Sequence, residues 1–348
     1  MRARLVRLGD DELGSLTPPG QESRGAWGTS YAASVAGSEV FIKRIPLTDL
    51  ERQSMFSTAN HFRLPNYYHY GVGSAGFGAF RELAAHQRTT EWVLDGAGDG
   101  FPLLHHWRVL PCSELPPPNP RITSPGYVTY WNNSKAAARY VRARAAARWE
   151  IWLILERFDH PLWTWLPANQ DQVGTMVSCL LDTAAFLRGQ GMAHLDAHFA
   201  NVVTDGRRPY LTDFGLALDA SFDLGDAERS FLARHRYYDA GEIIQSLGMT
   251  VALMCKDLPP EDRRKLLKVC EVDDQADIDL VPALVAHAET LASDGPLPIS
   301  HALAEAIIRY RPVINYMHGF LTKLRNNPRK NARYSDHHLR RLLEATTT

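Results

Sequence analysis

A change of pattern near Glu156 constrains the fold of this 348-residue chain more than any other feature of its sequence. Upstream of it, short apolar runs are punctuated by glycine. Gly25-Ala-Trp-Gly28 leads into one short strand, Ala36–Glu39 makes a turn, and Val40-Phe-Ile-Lys-Arg-Ile45 makes the next strand. Leu103–Leu110 and Ile151–Leu155 read as further strands. Downstream, helical patterns dominate, at 162–166, 171–189, 239–256, 261–269, 280–292, 301–310 and 313–325. Strands first and helices after predict an α+β chain with two lobes.

Two segments interrupt the first part. Gly71-Val-Gly-Ser-Ala-Gly-Phe-Gly78 runs into the helical Ala79–Gln87, and Pro116, Pro117, Pro118 and Pro120 open an insert over 112–149. The insert ends in an Ala/Arg-rich helix, Ser134–Trp149, with Asn133 or Ser134 as its N-cap.

The formal net charge of −1 hides an uneven distribution: residues 121–149 carry +6 and residues 306–348 carry +7, leaving −14 on the remainder. The basic helix has few aromatics for base stacking, so nucleic acid is not the expected partner. A solvated face, or a docking surface for an anionic or acidic substrate, is. A hydrophobic share of 45% suits a sizeable core, and no apolar run nears the roughly 18 residues of a membrane span. The charged first ten residues have no apolar segment behind them, so no secretory signal is expected. Cys112, Cys179, Cys255 and Cys270 are scattered, which predicts reduced thiols and a cytoplasmic location.

The chemistry concentrates in Gly191-Met-Ala-His-Leu-Asp-Ala-His-Phe-Ala-Asn201 and Leu211-Thr-Asp-Phe-Gly215. Asp196, Asn201 and Asp213 sit on turns around two small strands, Val202–Thr204 and Tyr210–Thr212, joined at Asp205-Gly206. A hairpin there brings all three to one rim. Phosphoryl transfer needs these residue types. One carboxylate takes the proton of the attacking hydroxyl, while an amide oxygen and a second carboxylate hold Mg²⁺ on nucleotide phosphates.

His194-x-Asp196-x4-Asn201 resembles the catalytic loop of the protein-kinase-like superfamily, and Asp213-Phe214-Gly215 resembles its metal-binding motif. Val40-Phe-Ile-Lys43 resembles the strand whose lysine grips the α- and β-phosphates. Gly25–Gly28 resembles the second half of the phosphate-covering glycine loop, with Ser23 in place of its first glycine. The resemblance spans about residues 20–255. It implies a bilobal fold: a small antiparallel-sheet lobe over 1–155, insert included, and a mostly helical lobe over 156–348. It further implies ATP and Mg²⁺ as cofactors, Asp196 as the catalytic base, and Asn201 and Asp213 as metal ligands. Lys43 would pair with Glu82, or failing that with Glu51, and backbone groups of Glu156 and Phe158 would bind adenine.

Departures from the pattern bear on the acceptor. Leu195 replaces the arginine that reads activation-loop phosphate in many protein kinases, and no Ala-Pro-Glu follows Gly215. His198 makes the loop similar to those of aminoglycoside and choline phosphotransferases, while Phe214-Gly-Leu-Ala217 is closer to protein kinases. The expectation is a phosphotransferase that moves the γ-phosphoryl group of ATP to a hydroxyl of a small metabolite or peptide. A serine/threonine protein kinase is the alternative. An inactive kinase-like scaffold is the third reading, and Ser23 and the bulky Phe41 are its support.

Competing motif readings are weaker. His194, Asp196 and His198 could be a Zn²⁺ or Fe²⁺ trio, although His194 alone reads as a packed histidine bonded to backbone. Gly71-x-Gly73-x-x-Gly76 spells a dinucleotide fingerprint without the apolar strand that motif requires. The acidic run Glu271–Asp279 lacks the glycine and closing glutamate of a calcium loop and reads as a solvated connection.

Overall fold

The computed structural model describes residues 1–17, 22–24, 28–112, 120–272 and 279–346. Its sheet contains β1 (Ser23–Arg24), β2 (Thr29–Val35), β3 (Ser38–Leu47), β4 (Leu104–Pro111) and β5 (Trp149–Glu156). All pairings are antiparallel, in the order β1-β2-β3-β5-β4. Ala36 and Gly37 both take positive φ, 58° and 80°. That is the two-residue turn whose twist matches a tight hairpin.

Alternation along the strands gives the sheet two apolar faces. Tyr31, Val40, Ile42, Trp152 and Ile154 meet Leu5 of α1 (Arg2–Leu5) and Leu13 of α2 (Asp10–Gly14). Neither helix is evident in the sequence pattern. Ile45, Leu47, Ile151, Leu153 and Leu155 on the other face meet Ala79, Phe80 and Leu83. These three open α4 (Ala79–Leu94), which follows the short α3 (Asp49–Gln53).

The insert forms α5 (Pro120–Thr123), α6 (Pro125–Tyr130) and α7 (Lys135–Ala145). The Ser134 side chain caps α7 by accepting from the Ala137 N–H. The helix stops short of Trp149, which enters β5 instead. Beyond β5 come β6 (His160–Pro161), α8 (Leu162–Trp165), α9 (Val173–Gly189), β7 (Met192–Ala193), β8 (Val202–Thr204), β9 (Pro209–Leu211) and β10 (Leu218–Asp219). The chain ends in α10 (Asp226–Ala233), α11 (Tyr238–Lys256), α12 (Pro260–Val269), α13 (Val281–Ala286), α14 (Ala288–Asp294), α15 (His301–Asn326) and α16 (Asp336–Ala345). Strands β6, β8 and β9 form one small sheet, and β7 pairs with β10.

The break expected between 310 and 313 is absent, because α15 runs straight through Pro312. A proline inside a helix costs about 3 kcal/mol. Burial of Leu303, Ile307, Ile314, Met317 and Leu324 in the main core outweighs it. Helices α10 and α16 were not expected either.

The main apolar cluster does not divide at residue 155. Leu64, Tyr68, Phe77, Phe101, Tyr127, Trp131 and Tyr140 share it with the side chains of α9, α11 and α15. Trp131 is wholly buried, and Tyr68 and Tyr127 share a hydroxyl hydrogen bond of 2.6 Å. The insert is therefore not simply a solvated basic face. Arg144 turns inward and is buried, donating to the Pro46 carbonyl at 2.5 Å and the Tyr140 hydroxyl at 2.7 Å, while Arg139 and Arg142 remain exposed. No described helix is long and apolar enough to cross a membrane.

Candidate functional site

Lys43 lies midway along β3, on the face that α4 covers. Its Nζ reaches Glu82 Oε1 on α4 at 2.5 Å and Asp213 Oδ1 at 2.8 Å. Burial alone would lower the lysine, but the two carboxylates override it and hold the ammonium well above its usual range. Asp213 shows the converse balance: burial would raise it, and Lys43 pulls it down to about 2. Glu82 is raised, because desolvation outweighs its attraction to Lys43. Glu51, the fallback partner, is engaged elsewhere. Its Oε2 accepts from the Thr48 N–H at 2.9 Å and its Oε1 from the Ala79 N–H at 2.8 Å. It thereby caps the helix that carries Glu82.

The turn after β7 presents Asp196. Asn201 Nδ2 donates to the Asp196 carbonyl at 2.9 Å and to Oδ2 at 2.8 Å. Oδ1 is buried without a hydrogen-bond partner, 3.4 Å from His198 Nε2. Burial opposes the charged form of His198, yet Asp196 raises its pKa to about 9, so the ring is an imidazolium at neutral pH. His194 is buried, bonds the Thr212 carbonyl at 3.0 Å, and is held below its usual pKa by desolvation. It takes no part in a metal trio: among the described residues no three His, Cys, Asp or Glu side chains gather as metal ligands.

Helix α11 supports this loop from below. Asp239 accepts from the His194 and Leu195 N–H groups at 2.8 and 2.7 Å, and Glu242 Oε2 from the Ala197 N–H at 2.8 Å. Ser246 Oγ accepts from the Phe199 N–H at 3.2 Å. Sequence reasoning missed these residues. Their signal was polar residues at i, i+3 and i+7 on one face of an otherwise apolar helix. They hold Leu195 at φ 64°, a left-handed conformation that a branched residue takes only under tertiary constraint. Asp213 is likewise left-handed, at φ 64°.

The second glycine cluster lies across the same site. Phe77 N–H donates to the Gly215 carbonyl at 2.9 Å, and His69 Nδ1 bonds the Leu216 carbonyl at 3.0 Å. Gly71 packs so closely on Asp196 that a Cβ there would fall 1.7 Å from Oδ1. The cluster is thus a strap that needs glycine for close approach, and the element leading directly into it is a short helical turn at Asn66–His69 in place of the strand a dinucleotide fold requires.

Other expected residues stand as follows. Gly25 lies outside the described residues. Gly28 is at φ 84°, and a Cβ on it would fall 2.1 Å from the Arg44 carbonyl, so close packing on β3 is its first requirement. Of the Glu156 backbone groups expected to face adenine, the N–H is engaged within the sheet. It donates to the Leu103 carbonyl at 2.8 Å, because the β4–β5 pairing continues past Leu104, and the Glu156 carboxylate accepts from the Leu103 N–H at 3.2 Å. The Phe158 ring stacks on Tyr210 with centroids 4.0 Å apart. Phe41 is half-buried against the cluster containing Leu155.

The oxygen donors suit a hard divalent cation. Asn201 commits its N–H groups to Asp196 and keeps Oδ1 as its remaining acceptor. Asp213 is ionised, with 45% of its side chain exposed. One carboxylate and one amide oxygen are what Mg²⁺ takes from a protein when phosphates and water complete its shell. No model of a known protein family matches the chain, and no curated protein matches it.

Proposed function

We propose that the chain is a bilobal, kinase-like phosphotransferase that uses Mg-ATP to phosphorylate a hydroxyl group. The observation that carries this reading is the bridge of Lys43 to both Glu82 and Asp213, beside the interlocked Asp196 and Asn201. β3, α4 and the turns after β7 and β9 each contribute side chains to this set, and their types are those that phosphoryl transfer requires. The strand order β1-β2-β3-β5-β4, with a glycine turn before β2 and the lysine on β3, supports it further.

The Asp196 carboxylate accepts the proton of the acceptor hydroxyl, and Asn201 fixes it through Oδ2. The acceptor oxygen bonds to the γ-phosphorus as the bond to the β–γ bridging oxygen breaks, and ADP leaves with that electron pair. Lys43 and the His198 imidazolium face the charge that shifts onto the phosphate oxygens. Mg²⁺ held by Asn201 Oδ1 and Asp213 would neutralise phosphate charge.

The test is a thermal shift with ATP, with and without Mg²⁺, followed by labelled ATP with Asp196→Ala as control. The reading expects a Mg²⁺-dependent shift and phosphoryl transfer lowered at least 10³-fold by the substitution. No shift at all would favour the inactive scaffold. Label on protein that depends on Asp196 would make the chain a protein kinase. Transfer that survives Asp196→Ala would overturn the mechanism.

A further inference from the structure

Helix α4 carries two arginines besides Glu82. Arg81 and Arg88 stand seven residues apart, two turns along one face, and each reaches a carboxylate of the segment that follows Asp213. Arg81 Nη1 lies 2.8 Å from Glu228 Oε1 on α10, and both side chains are buried. Arg88 Nη1 donates to Asp219 Oδ1 on β10 at 2.5 Å and to the Ser221 hydroxyl at 2.9 Å. Asp219 is wholly buried, while 30% of the Arg88 side chain is exposed.

The chain ahead of α4 fastens the stretch between these two pairs. The Asp223 N–H donates to Thr58 Oγ1 at 2.8 Å, and Asp223 Oδ2 accepts from the Thr58 N–H at 3.3 Å. Arg81 Nε donates to the carbonyl of the same Thr58 at 2.6 Å, and Asn66 Nδ2 to the Ala227 carbonyl at 2.8 Å. With the strap's bonds to Gly215 and Leu216, residues 215–228 are tied along their length to residues 58–88. A charge left buried without its partner is strongly unfavourable, so the two pairs set where α4 and this segment sit against each other. Gly215 is the join: a Cβ on it would fall 3.3 Å from both Asp213 Oδ1 and Glu82 Oε2. The ties extend to the Asp196 loop as well. Strand β10 pairs with β7, which leads into His194, and Arg88 Nη2 donates to the Gln190 carbonyl just ahead of β7 at 3.3 Å.

We infer that Arg81 and Arg88 are positioning residues for the site. Through Glu228 and Asp219 they clamp the segment after Asp213 onto α4, so that Glu82 and Asp213 meet Lys43 together. They act through those two carboxylates and not on the nucleotide. This rests on the phosphotransferase reading and names the residues that hold its site in register.

The test follows hydrogen exchange at the Phe77 and Asp223 amides, whose bonds close within the clamp. It compares the wild-type chain with Arg88→Met, Arg88→Lys and Glu228→Gln. Leu13→Ala, which opens a cavity on the far face of the sheet, is the control for lost stability. ADP release from Mg-ATP with water as acceptor is read on the same proteins, as is the Mg²⁺ concentration that half-saturates the ATP thermal shift. Arg88→Met and Glu228→Gln should each speed exchange at both amides at least tenfold and lower ADP release at least tenfold. Half-saturating Mg²⁺ should rise at least threefold, because Asp213 loses its place. Arg88→Lys, which keeps a cation on Asp219, should stay within threefold of wild type throughout, and Leu13→Ala should keep ADP release within twofold. Unchanged exchange in Arg88→Met and Glu228→Gln, or ADP release that falls no further than in Leu13→Ala, would overturn the inference. If Mg-ATP gives the wild-type chain no thermal shift, the phosphotransferase reading has failed. Faster exchange in the two variants then still supports the clamp as what orders residues 215–228, and unchanged exchange removes that too.

Discussion

At the scale of single residues, close approach decides more here than charge does. Gly71 leaves Asp196 its space, and Gly71→Ala would put a methyl 1.7 Å from a carboxylate oxygen. The carboxylate must swing away, at about 1–3 kcal/mol of stability. Displacing a catalytic group by about 1 Å can cost about 10²-fold in rate. The expected outcome is a folded protein with kcat lowered about 100-fold, read by circular dichroism and ADP release; an active Gly71→Ala protein would mean Asp196 tolerates displacement. His198 makes a pH prediction. Its folded pKa of about 9 lies above the ordinary 6.5, so the ion pair stabilises the fold fully below pH 6.5 and is lost as pH rises through about 9. Thermal midpoint and kcat/KM should both fall on that alkaline limb. His198→Gln should flatten it, and an unchanged limb in that variant would assign the titration to another group.

At the scale of elements, α11 is the foundation of the site. Asp239, which is buried, takes two backbone N–H groups of the turn that holds Asp196. Asp239→Asn keeps the shape, loses one acceptor, and places an amide donor against a backbone donor. A buried, charge-assisted bond is worth about 1.5–3 kcal/mol. The variant should lose about that much stability in denaturant melts, with kcat falling more than the KM for ATP changes. An equal fall in kcat and ATP affinity would point to general loosening instead. The strap before α4 is the second such element: its bonds to Gly215 and Leu216 tie the segment after Asp213 to the chain ahead of Glu82.

At the scale of the whole molecule, the insert and the helices share one core. Trp131 is wholly buried among Tyr67, Tyr68, Tyr127 and Tyr130, in the cluster that also holds α9, α11 and α15. Trp131→Ala should cost about 3–5 kcal/mol and lower the midpoint of the main unfolding transition. A separate early transition, with the main one unmoved, would show the insert to be an independent unit. The shared core also explains why the basic helix misled: Ala137, Tyr140 and Val141 face inward and take Arg144 with them.

Patterns local in the chain were legible from the sequence alone. Glycine punctuation and short apolar runs placed the β2–β3 hairpin. The turn expected over Ala36–Glu39 narrows to Ala36-Gly37, because Ser38 and Glu39 already pair in β3. Helical period placed α9 and α11, since it reflects one buried side repeated along neighbouring residues. The polar set of Lys43, Asp196, Asn201 and Asp213 could also be picked out, since few other chemistries use those types at that spacing. The tertiary structure alone decided what depends on approach between distant segments. It chose Glu82 over Glu51, engaged the Glu156 N–H with Leu103, carried α15 through Pro312, and turned Arg144 into the core. It also laid Gly71 on Asp196. In each case the deciding energy is packing or pairing between residues far apart in sequence, to which local periodicity is blind.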